Sequence, residues 1–211
     1  MDDRLRRLHA ISGVMPLGVF VVVHILVNAT ALSGPIRYDR VVGGLARLPM
    51  AWLFEVLFVG VPLAFHAGSG LARLRQEKKK KPLDVLQRVA SVLLLVFVVA
   101  HAWETRFAGG GREIVDIQTR LMMHLSTTTG MIPLIALGYI VGLAVTCFHL
   151  GYGCWTVLET SGRASRRVAR WTIAGTTLLF VVGLATILGL ATGGTLVPDV
   201  DPASAIPCPS R

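Results

Sequence analysis

Five stretches of this chain, near residues 9–30, 50–72, 85–103, 130–157 and 171–192, are each long and apolar enough to cross a bilayer, and short polar turns separate them. A helix rising 1.5 Å per residue needs about 20 apolar residues to span the hydrocarbon. Inside hydrocarbon, backbone N–H and C=O groups find no water, so a segment of this kind must satisfy them internally as a helix. The expected fold is therefore an all-α integral membrane protein with five transmembrane helices in a bundle. The composition excludes a water-soluble domain: only 16% of residues are charged, and the mean hydropathy is +0.64.

The formal net charge of +9 would suit a nucleic-acid binder if its cations were clustered on one surface. They lie instead in the turns between apolar segments. Assigned to alternate sides, 14 of the 21 Lys and Arg residues fall on one face, so the positive-inside rule puts the N-terminus in the cytoplasm and the C-terminus outside. No nucleic acid is expected, and the basic run Lys78 to Lys81 is read as topology and attraction to anionic membrane lipid. The acidic start Met1-Asp2-Asp3 and the length of the first stretch do not read as a signal peptide. Residues 1–193 read as one transmembrane domain and 194–211 as a Pro-rich extracytoplasmic tail. Cys147 and Cys154 lie on one helix about 10 Å apart along its axis, too far for a disulfide. No C-x-x-C-H motif predicts covalent haem attachment.

Four of the six histidines, His24, His66, His101 and His149, fall inside the apolar stretches, one on each of four helices. An ionisable side chain in hydrocarbon is a functional hypothesis by default. For any single one, the alternative is a neutral imidazole hydrogen-bonded to a neighbouring helix. Depth distinguishes them: by helix rise His24 lies about 25 Å from Arg7 and His101 about 20 Å from Arg88, both in the outer half. His66 lies about 10 Å from Arg73 and His149 about 15 Å from Glu159, both in the inner half. Two pairs at two depths, each from two helices, match what two stacked bis-histidine b-type haems require, and such sites favour electron transfer. Two histidines without carboxylate or thiolate are too few for a usual structural zinc. Gly70 and Gly153, each four residues after a histidine, leave room for a flat macrocycle or simply for helix contact. A transporter would want acids or broken helices at mid-membrane, and a haem-free structural anchor would not need matched histidines.

The motifs that carry a resemblance come in order: Arg6-Arg7-Leu8-His9 leading to His24, Pro62-Leu63-Ala64-Phe65-His66-Ala67, Leu86-Gln87-Arg88-Val89 with His101-Ala102-Trp103-Glu104-Thr105-Arg106, and Phe148-His149 before Gly153-Cys154-Trp155. Over about residues 5–192 the chain resembles the five-helix, di-haem cytochrome b anchor subunit of succinate:quinone oxidoreductases, the succinate dehydrogenase and fumarate reductase family. The resemblance implies a bacterial cytoplasmic-membrane protein of respiratory complex II. A flavoprotein and an iron-sulfur subunit would dock on its cytoplasmic face, in a heterotrimer compatible with higher oligomers. It implies His66 and His149 as axial ligands of a proximal haem, His24 and His101 as ligands of a distal haem, and menaquinone near the latter.

No catalytic residue and no nucleotide-binding motif is found in this chain, so dicarboxylate chemistry belongs to the partners. Arg7, His9, Gln87 and Arg88 are the candidate propionate partners. Glu55, expected three turns from His66 on the same face, is the favoured quinone residue, with Asn28 and Glu104 behind it. His124 is read as structural. Some fumarate reductases of this family carry a glutamate shortly before the histidine on the fourth span. Gly142 to Phe148 holds no acid, which favours succinate oxidation over fumarate reduction.

Overall fold

A computed structural model describes residues 3–74, 82–105, 117–129 and 131–194. The Lys78 to Lys81 turn, the Gly109–Gly111 run and the Pro-rich tail with Cys208 lie outside the described residues. Among the described residues, five helices are long and apolar enough to span a membrane: Arg7–Ser33, Ala51–Leu74, Pro82–Trp103, Leu134–Thr160 and Arg166–Thr192. Their bounds fall within a few residues of those expected. We label them, with the two shorter helices between them, α1 (Arg7–Ser33), α2 (Pro35–Ala46), α3 (Ala51–Leu74), α4 (Pro82–Trp103), α5 (Ile117–Ser126), α6 (Leu134–Thr160) and α7 (Arg166–Thr192). The helix that contains α1 begins at Asp3.

Local chemistry sets the ends. Gly34, at φ 98°, turns the chain into α2 with Pro35 in its first turn, where a missing N–H is no loss. Ser165 caps α7 by accepting the Val168 amide at 3.2 Å, and Gly193, at φ 71°, closes its C-terminus. Two spans carry a π turn beside a proline: Gly13–Leu17 contains Pro16, and Val56–Gly60 precedes Pro62. Proline removes one ladder hydrogen bond, and a wider turn is one way to absorb the loss. These two π turns pack against each other between α1 and α3.

The helices pack α6 on α4 and α7, and α1 on α3, α6 and α7. Ile25, Ala136, Leu143, Cys147 and Ile187 form the core where α1, α6 and α7 meet. A Cβ on Gly183 would stand 2.8 Å from the Leu143 side chain, so this glycine is what lets α6 and α7 approach. A second cluster, Ala31, Tyr38, Leu125 and Leu190, lies where α2 and α5 pack over the ends of α1 and α7. Tyr38 donates to Asn28 Oδ1 at 3.0 Å, and Gln118 ties its amide N–H to Asp39 and its side chain to the Ala31 carbonyl. Burial, with the Asp39 carboxylate beside it, pushes the Tyr38 phenol up to about 12. Large apolar side chains such as Trp52, Phe58, Val96, Leu178 and Val181 face outward, as a lipid-facing surface requires.

Candidate functional site

The four spans that carry the deep histidines bring them together in two pairs. His66 of α3 and His149 of α6 stand with ring centres 5.9 Å apart, toward the end of the bundle where the chain begins. His24 of α1 and His101 of α4 stand 5.8 Å apart toward the far end. The ring planes cross at 88° and 80° respectively. Among the described residues no cluster of three or more His, Cys, Asp and Glu forms that could hold a metal ion, so these pairs are what the bundle offers.

Hydrogen bonds fix the tautomers of three of the four. The His66 Nδ1–H donates to the His9 backbone carbonyl at 2.9 Å, an acceptor that has no proton to give. The Ser91 hydroxyl gives its proton to the Gln87 carbonyl at 2.7 Å, so its oxygen accepts from His149 Nδ1–H at 3.1 Å. The Tyr139 hydroxyl gives its proton to Glu104 Oε2 at 2.9 Å, so its oxygen accepts from His101 Nδ1–H at 3.2 Å. In each case Nδ1 carries the proton and Nε2 keeps its lone pair, the arrangement that orients a metal-binding imidazole. The Gln87 amide also meets His149 Nδ1 at 2.9 Å, and its Oε1 is buried without a partner. Rotating that amide by half a turn places the oxygen on the Nδ1–H, the acceptor that a protonated Nδ1 needs.

Aromatic rings and small residues pack against both pairs, while His24 itself stays exposed. His9 stacks on His66 with ring centres 4.1 Å apart and planes 9° from parallel, and donates Nδ1–H to Ser69 at 2.8 Å. Gly13 lies so close that a Cβ there would stand 2.3 Å from His66 Cε1. Phe20 stacks on His24, and Phe97 stacks on His101 with ring centres 5.6 Å apart. Gly142 makes room for Phe97, whose ring a Cβ would meet at 2.4 Å.

The histidine spacing tests whether a haem iron fits. With a metal–imidazole bond of about 2.0 Å and a ring centre about 1.1 Å behind its nitrogen, two ligands facing across one metal stand about 6.2 Å apart. The observed 5.8 and 5.9 Å fall within about half an ångström of that, and the free Nε2 lone pairs of His66, His149 and His101 are donors of the right kind. The residues present fit the group.

The remaining candidates are placed as follows. Arg7 is exposed near the start of the bundle, and Arg88 Nη1 reaches the Leu74 carbonyl at 3.4 Å. His9 and Gln87 are engaged with His66 and His149. Asn28 donates to the His24 backbone carbonyl at 2.8 Å, not to the ring. Glu55 is exposed, and the π turn at Val56–Gly60 lies between it and His66. That extra residue rotates the register by roughly 100°, so the expectation of a shared face, built on α-helical spacing, does not carry over. Gly70 lies against His9 rather than open space, at 3.3 Å for an added Cβ, and Gly153 would reach only Val14 at 3.9 Å. His124 pairs its Nε2 with Glu104 Oε1. Sequence reasoning passed over Gly13, Ser91 and Tyr139. The available signals were a glycine four residues after His9, a serine four after Gln87 and a hydroxyl inside an apolar span.

Fold and site together define a multi-pass helical membrane protein that places two histidine pairs at two levels of one bundle. The chain is 31% identical over 195 residues to the succinate dehydrogenase cytochrome b558 subunit of Bacillus subtilis (strain 168), covering 86% of this chain and 94% of that protein. It belongs to the family of succinate dehydrogenase cytochrome b subunits. No protein-family model and no solved structure matches the chain.

Proposed function

We propose that this chain is the membrane anchor of a succinate:quinone oxidoreductase and holds two b-type haems, one between His66 and His149 and one between His24 and His101. The observation that carries this reading is the spacing of the two histidine pairs, 5.9 and 5.8 Å, with Nδ1 protonated wherever its partner is defined. A haem held by two imidazoles supplies one-electron transfer and leaves no open coordination position for oxygen. Iron-sulfur and flavoprotein subunits dock on the cytoplasmic face at the end where the chain begins, in the bacterial cytoplasmic membrane, and menaquinone is the electron partner at the far end.

The chain's own residues hold and orient. His9, Ser91 and Tyr139 fix the ligand rings, and Phe20 and Phe97 stack on His24 and His101. Arg7 and Arg88 are the cations assigned to propionates, because His9 and Gln87 are already committed to ligand rings. The exposed Glu55 carboxylate is the group assigned to proton exchange with quinone, and Asn28 and Glu104 border the same end. The direction favoured is succinate oxidation, with no acid between Gly142 and Phe148 to serve a transmembrane proton route.

The test is a pyridine haemochrome assay with a dithionite-reduced minus oxidised spectrum on purified protein. Wild type is expected to carry two haems b per chain, and His66→Ala and His24→Ala each to lose a different one. A well-folded wild type without haem would overturn the reading.

A further inference from the structure

The two histidine pairs are not supported alike. At the pair nearer the start of the bundle, the ligand Nδ1–H groups end on neutral acceptors, the His9 carbonyl and the Ser91 hydroxyl. At the far pair, the chain of hydrogen bonds from His101 runs through Tyr139 to a carboxylate. Glu104 binds with both oxygens: Oε2 accepts from Tyr139, and Oε1 pairs with His124 of α5. One carboxylate thus ties the end of α4 to α5 and α6. Tyr139 is held in place as well, with Phe97 edge-on to its ring at 5.7 Å and 86°, and Gly142 giving Phe97 its seat.

The chemistry of such a relay has a definite sign. A phenol that donates to a carboxylate gains electron density on its oxygen and becomes a better acceptor, and half-burial strengthens each link. A better acceptor at Nδ1–H makes the imidazole more basic at Nε2. A more basic axial ligand stabilises the oxidised iron over the reduced one, so second-shell hydrogen bonding tunes the potential.

We propose that Glu104, acting through Tyr139, is a positioning residue that lowers the reduction potential of the haem at the His24–His101 pair, with His124 holding the carboxylate in place. This rests on the di-haem reading above. Among the described residues the far pair alone has such a relay, which makes the two sites unequal. His124, read from the sequence as structural, becomes part of the tuning device.

The experiment is an optical redox titration of the purified protein, with haem content measured on each variant. Glu104→Gln and Tyr139→Phe are each expected to raise one of the two midpoint potentials and leave the other unchanged. Because the hydrogen-bond relay from Glu104 to His101 runs through Tyr139, the double variant should shift by less than the two single shifts combined. In a His149→Ala background, which keeps the far haem, the same shift should persist. Glu104→Asp, which preserves the charge, should shift less than Glu104→Gln. Two retained haems with unchanged potentials, or equal movement of both potentials, would overturn the proposal while leaving the haem assignment standing. Absence of haem from the wild type would overturn the assignment itself. Should Tyr139→Phe not retain the haem, Glu104→Gln, nearly isosteric, carries the test.

Discussion

A methyl group at Gly13 would collide with the ring of His66. The added Cβ would lie 2.3 Å from Cε1, 2.8 Å from Nδ1 and 3.2 Å from Nε2. Carbon atoms at optimal separation stand about 3.5 Å or more apart, so Gly13→Ala requires the ring to recede by about 1.2 Å. The ring cannot do so freely, because its Nδ1–H is bonded to the His9 carbonyl at 2.9 Å and His9 stacks on it. Overpacking of this kind costs about 1–3 kcal/mol. Loss of the hydrogen bond adds about 0.5–1.5 kcal/mol. Replacing a helical glycine by alanine returns about 1 kcal/mol. The net of about 0.5–3.5 kcal/mol falls on the geometry of an axial ligand and corresponds to roughly 2- to 400-fold weaker haem retention at that pair. The assay is haem per chain by pyridine haemochrome after purification and washing in detergent. Gly13→Ala is expected to fall from two haems toward one, with the spectrum of the His24–His101 haem intact. Gly68→Ala is the control, because an added Cβ there would meet nothing within 4 Å and it sits on the same span as His66. Two haems with wild-type spectra in Gly13→Ala would refute the claim that His66 leans on α1 as a ligand.

Two more outcomes follow from the geometry. The imidazole planes cross at 88° and 80°, which brings the iron d orbitals that accept ligand π density close to degeneracy. Electron paramagnetic resonance of the oxidised protein should show two strongly anisotropic, large-g low-spin ferric signals, and the rhombic signals of coplanar ligands would contradict the side-chain arrangement. Tyr38→Phe removes the donor to Asn28 from a buried site and should lower stability by about 1–2 kcal/mol, read by thermal unfolding in detergent at unchanged haem content. The Tyr38 phenol is raised from 10.0 to about 12 by folding, so its contribution is fully present below pH 10 and lost as pH rises toward 12. The gap between wild type and Tyr38→Phe should narrow over that window, and a constant gap would show that the phenol is not buried as described.

Much of the fold was legible in the chain because hydrocarbon leaves a spanning segment almost no choice: length and apolarity fixed the five helices, and the observed spans depart from expectation by only a few residues. The pairing of His24 with His101 and of His66 with His149 was also legible, since helix rise converts sequence distance into depth and depth alone separates the pairs. Rotation about each helix axis was harder to read. The inference that Glu55 faces with His66 assumed an unbroken α-helix, and a π turn intervenes. Gln87 sat at the expected depth, yet its amide is against His149.

What the sequence determined by itself was therefore the set of helices and the level of each histidine, quantities that depend on distance along one axis. The tertiary structure decided what touches each ring. His9 over His66, Gly13 beneath it, Ser91 at His149, and the His124–Glu104–Tyr139 relay behind His101 each join residues 20 or more positions apart. Such contacts depend on the relative rotation and closeness of packed helices, which small residues and local ladder defects set together and no single segment encodes.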